Sequence, residues 1–125
     1  MATRSNKTYQ DPSTAGSLSS ALRLWQSVHD VPRDTAILHV SFTLSCWGES
    51  RATRVAGFLR RRRACAGITV HRVAEARRDT WHVHGSMNPA IQSLSDLEAT
   101  WTWLRRAAQS HQVDLLRVTL DRAAA

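Results

Sequence analysis

Thr80-Trp81-His82-Val83-His84-Gly85 alternates strictly between apolar and polar side chains over its first five residues. In an extended chain successive side chains point to opposite faces, so Trp81 and Val83 lie on one side and Thr80, His82 and His84 on the other. The stretch predicts a half-buried strand with one apolar face and one face carrying two imidazoles. That second face is where the sequence concentrates its candidate chemistry.

Working outward, Ile68 to Ala74 reads as a strand that starts after a break at Gly67, and Arg77, Arg78 and Asp79 form a polar turn between it and the first stretch. The pair is an expected antiparallel hairpin. Ahead of it, Leu38, Val40, Phe42 and Leu44 share one side of a strand, with Ile37, His39, Ser41 and Thr43 on the other. The Cys46-Trp47-Gly48 corner leads into a helix over Glu49 to Arg63 with Ala52, Val55, Phe58 and Leu59 inward, ending in Arg60, Arg61, Arg62 and Arg63 at the negative end of the helix dipole.

Beyond the hairpin, Leu94, Leu97, Trp101, Leu104, Ala108 and His111 step by three and four, and Ser95 with Glu98 has capping-box spacing, which predicts a long helix. Asp114 to Leu120 completes the chain as a strand with Leu116, Val118 and Leu120 on its apolar face. Trp103 and Trp47 fall off these stripes and are expected at the surface, where tryptophan marks contact sites. At the N-terminus, residues 1–17 are polar and read as a flexible tail. A helix over 18–31, with Leu18, Leu22, Trp25 and Val28 inward, stops before Pro32.

From residue 35 to residue 121 the order strand, helix, strand, strand, helix, strand is that of an α+β ferredoxin-like sandwich, a four-stranded antiparallel sheet with two helices on one face. The helix over 18–31 is an addition, and 122–125 is a short tail. In the usual strand order of this fold the first and third strands are central neighbours. His39, His82 and His84 then share the face away from the helices, flanked by His71 and Arg117.

A chain of 125 residues, 42% hydrophobic and 22% charged, is the size and composition of one globular domain. The net charge of +7 and a pI near 11.2 point to an acidic partner, either nucleic acid or an acidic protein surface. Sixteen of the seventeen basic residues are arginine, which a GC-rich genome also produces. Cys46 and Cys65 are too far apart for a Cys-x-x-Cys site and read as reduced thiols of a cytoplasmic protein. No apolar run approaches the roughly 20 residues of a membrane span, and no secretory signal is expected.

The plain reading of the histidine face is a solvated sheet surface. The leading functional reading is a platform for nucleic acid, RNA above DNA. His39, His71, His82 and His84 would stack on bases, Arg72, Arg77, Arg78 and Arg117 would meet phosphates, and Arg60, Arg61, Arg62 and Arg63 would form a separate anion site. The alternatives are a protein-interaction module or a homodimerisation module, and a metal site in which His39 or His71 joins His82 and His84. With the leading reading, no cofactor, no metal and no catalytic residue is expected.

Two resemblances bear on function. His39-Val40-Ser41 and, more loosely, His84-Gly85-Ser86 resemble the His-x-Ser/Thr motifs of 2H phosphoesterases, which would make His39 and His84 general base and acid, with Ser41 and Ser86 holding the phosphate. The Trp81-x-Val83 strand, the long helix ending Ala107-Ala108-x-x-His111 and the strand after Asp114 resemble the regulator of ribonuclease E activity B family. That resemblance implies a small ferredoxin-like protein acting by binding a larger partner. The family's Asp-Gly-Trp is replaced here by Asp114-Leu115-Leu116.

Overall fold

Among the described residues, besides a helical turn at 23–26, five strands and two helices follow in the order β1 (Asn6–Gln10), β2 (Leu38–Trp47), α1 (Glu49–Arg60), β3 (Cys65–Arg72), β4 (Thr80–Met87), α2 (Leu94–Ser110) and β5 (Asp114–Arg122). The computed structural model describes residues 6–10, 23–26, 37–74 and 76–122. Alternation drives β2, whose Leu38, Val40, Phe42, Leu44 and Cys46 are all buried while Leu38's neighbour His39 is exposed. Helical period takes over after Gly48, which holds a φ of 92° that a side-chain-bearing residue rarely adopts.

All strand pairs are antiparallel, and the sheet order is β1-β5-β2-β4-β3. The chain is thus an α+β protein with an open antiparallel sheet, and β2 and β4 are adjacent at its centre. Helix residues Ala52, Val55, Ala56 and Leu59 of α1 and Leu97, Trp101, Leu104 and Ala108 of α2 join the inward strand residues in one core. Both helices therefore cover the same sheet face. The loop before α2 is tied to the start of β2 by reciprocal backbone bonds, Leu38 N–H to Ile91 O at 2.9 Å and Ile91 N–H to Leu38 O at 2.8 Å.

Several local expectations are corrected. Asn6–Gln10, expected within a flexible tail, is a strand paired with β5 in the register Thr8 opposite Thr119. In β5, Arg117 pairs with Thr43 but Leu115 pairs with Leu44, so Leu116 is the extra residue of a bulge. The bulge turns Leu115 inward beside Val118 and Leu120, and Leu116 is left half-buried. Gly67 does not precede β3 but lies inside it at φ 62°, where the pairing with β4 shifts between Ala66 and Thr69.

Helix α1 ends at Arg60, so Arg61 is its C-cap and the arginine run continues into the following turn. On its surface Phe58 is only partly buried and stacks on Trp103 of α2, ring centres 6.3 Å apart, which takes Trp103 from the expected surface position into a helix–helix contact. The α2 cap is Ser93, whose hydroxyl accepts from Asp96 N–H at 3.1 Å, rather than Ser95. Residues 23–26 are helical, and Leu24, which is off the predicted stripe, is buried in the core with Trp25 packed partly against it. Leu18, Leu22 and Val28 lie outside the described residues.

Candidate functional site

Register decides which side chains meet on the face away from α1 and α2. Across the sheet run three rows of mostly polar side chains: Arg117, Thr43, His84 and Thr69; Thr119, Ser41, Ser86 and Ala66; and Ser45, His82 and His71. His71 and His82 are direct cross-strand partners, and His84 lies two residues from His82 on the same side of β4. The three imidazoles converge. His71 stacks on His84 with centroids 4.7 Å apart and an interplanar angle of 16°, and meets His82 edge-on at 5.6 Å. His82 and His84 are edge-on at 5.9 Å.

His84 is positioned from the neighbouring strand as well. Its Nδ1 is 2.8 Å from Thr43 Oγ1, and Thr43 is only 4% exposed, the one buried polar side chain among the described residues. Ser41 and Ser86 hydroxyls face each other at 3.4 Å, and with Thr43, His84, Arg117 and Thr119 they line a shallow depression. Arg117 Nε is buried with no hydrogen-bond partner among the described residues. The His82 pKa is lowered by burial, then by His71 and Arg117; that of His84 is lowered by burial, then by His71, His82 and Arg117. All of these causes favour the neutral imidazole.

The remaining expected residues are dispersed. His39 sits at the far end of β2 opposite Asp121, four positions from Thr43, the residue paired with His84. At about 3.3 Å per residue that offset is ~13 Å. His39 therefore joins neither the imidazole cluster nor a two-histidine arrangement with His84, and the spacing expected of paired acid and base is not formed. Arg72 meets Asp79 at 3.3 Å, with both side chains well exposed. Arg77 and Arg78 are exposed in the β3–β4 connection, and Arg78 lies over the ring of Trp47, which is 60% exposed, at 5.5 Å. Arg60 reaches Ile68 O at 3.4 Å and Arg62 lies 4.6 Å from the Phe58 ring centre, so the run Arg60, Arg61, Arg62 and Arg63 gathers at the end of α1, apart from the imidazoles.

Thr43 is the site residue that sequence reasoning did not select, and Ser41 and Ser86 entered only through the resemblance to 2H phosphoesterases. Alternation placed Thr43 and Ser41 on the correct face, but their value depends on the β2/β4 register, which no short motif encodes. Neither thiol belongs to the site: burial, aided by Asp114, pushes Cys46 up to about 11, and burial also raises Cys65. Searches against family models, curated proteins and solved structures return no match to this chain.

Proposed function

We propose that this chain is a ferredoxin-like sandwich, widened by the added strand β1, that works as a small binding module for single-stranded nucleic acid, RNA above DNA. The succession β2-α1-β3-β4-α2-β5 and the central position of β2 and β4 support the fold reading. The observation that carries the functional reading is the cross-sheet row Arg117, Thr43, His84 with the imidazoles of His71 and His82 beside it. Flat rings on β3 and β4 offer stacking surfaces. Arg117, whose Nε lacks an acceptor among the described residues, and the hydroxyls of Ser41 and Ser86 offer donors for a phosphate. Exposed Arg72, Arg77 and Arg78 extend the basic rim at the hairpin end, and the net charge of +7 favours a polyanion at long range.

A catalytic role in phosphoester cleavage finds less support, because His39 and His84 are too far apart to serve one phosphate. The resemblance to the regulator of ribonuclease E activity B family agrees with a non-catalytic binding protein but implies a larger partner instead of nucleic acid, and a protein partner is the outcome if nucleic acid fails.

Fluorescence anisotropy with a single-stranded RNA, in the presence of chelator and at rising salt, tests the reading. Affinity should fall along a log–log slope of about −0.7 per phosphate neutralised. Replacing Arg72, Arg77 and Arg78 with alanine should lower the magnitude of that slope by about 2. Absence of binding at low salt, or binding that salt does not weaken, sinks the proposal.

A further inference from the structure

We propose that His71, His82 and His84 form a binding site for one divalent transition-metal ion of the zinc class. One ring nitrogen from each of the three lies within 4.8 Å of those of the other two. Imidazole nitrogens around tetrahedral zinc sit ~2.0–2.1 Å from the ion, hence about 3.4 Å from one another. Closing that gap takes movement of the side chains, without a change in strand register. The backbone already supplies the rest: His71 and His82 are held opposite each other by the β3/β4 ladder, and His82 and His84 project to the same side of β4.

An independent observation concerns orientation. Metal-bound histidines use their second ring nitrogen to hydrogen-bond an outer partner, which fixes the tautomer and the ring plane. Thr43 Oγ1 occupies that position for His84, 2.8 Å from Nδ1, and it is buried where water does not compete. When Nδ1–H donates to this hydroxyl, Nε2 keeps its lone pair for the ion. Three neutral nitrogen ligands suit zinc and its neighbours rather than magnesium or calcium, which take oxygen. They also leave a fourth position for water or an anion, the arrangement of sites in which the metal meets a ligand. The metal site stands whether or not the face binds nucleic acid.

The test is calorimetric titration of the chelator-treated full chain with Zn(II) alone, repeated with Co(II). The wild type should take up one ion per chain. His71→Ala, at an exposed position on the edge strand β3, should abolish saturable binding while circular dichroism shows the fold retained. Thr43→Val keeps the shape and removes the outer hydroxyl, so it should weaken binding by about 10- to 100-fold. His39→Ala should bind as the wild type does. Imidazole 15N resonances in the unmodified protein give a second measure: those of His71, His82 and His84 should shift on Zn(II) addition, with His39 and His111 unmoved. Lack of one-to-one uptake by the wild type, uptake that survives His71→Ala, or shifts confined to other histidines overturns the proposal.

Discussion

Gly85 shows how one residue sets the site without belonging to it. It lies on the core side of β4 between Val83 and Met87, and a Cβ there would sit 2.5 Å from Ile68 Cδ1 and 2.7 Å from Phe42 Cζ. The side chain is absent so that the Phe42 ring can pass across β4. Gly85→Ala should therefore destabilise by overpacking, by about 1–3 kcal/mol, seen as a lower urea midpoint with an unchanged slope. If the ring moves, β4 moves with it, and the His82/His84 side of the strand is displaced relative to His71. A stability equal to or above that of the wild type would show that Phe42 has room to give way, and the close approach would then not explain the glycine.

At the scale of elements, most of what was legible came from alternation and from three-four spacing. Those patterns record which face is buried: the inward residues of β2, Val83 of β4, Ala52, Val55 and Leu59 of α1 and Leu97, Trp101, Leu104 and Ala108 of α2 are buried, while Phe58, Trp81 and Leu94 are only partly so. What they do not record is register. The Leu116 bulge exchanges Leu115 for Leu116 in the core, and only the pairing of β5 with β2 reveals it. His39 was grouped with His82 and His84 because all three face the same way, yet position along the strands separates it from them. Conversely, His71 met His82 because a hairpin links their strands and its turn fixes the pairing. β1 leaves no signal in the sequence because Asn6-Lys7-Thr8-Tyr9-Gln10 has no apolar alternation, while an edge strand can be held by backbone bonds to its single neighbour. The cap of α2 is a similar case, with two serines two residues apart and only Ser93 accepting from an orphan amide. Ser93→Ala should cost about 1 kcal/mol in denaturant unfolding, whereas Ser95→Ala should cost much less. Equal losses from the two would place the cap elsewhere.

Across the whole molecule, charge and the imidazole cluster make stability depend on pH in one direction. An unfolded histidine titrates near pH 6.5, and His82 and His84 titrate below their ordinary value in the fold. Between the folded and unfolded values the unfolded chain binds more protons, so stability rises with pH. The contribution is fully present above about pH 6.5 and is lost as pH falls through the lowered folded values. Groups facing the pair add to this: His71 on β3 and Arg117 on β5 both repel imidazolium, and the chain already carries +7 before any histidine is charged. The urea midpoint of the metal-free protein should therefore drop between about pH 7.5 and about pH 5.5. The two physical causes respond differently to salt. Repulsion among positive groups is screened by salt, whereas the desolvation of His82 and His84, the first cause for each, is not. Added sodium chloride should thus recover only part of the loss. A His82→Gln/His84→Gln variant, which cannot take up those protons, should show a shallower pH dependence over the same window. If its midpoint falls as steeply as that of the wild type, the loss comes from groups other than this pair, and the cluster tolerates charge.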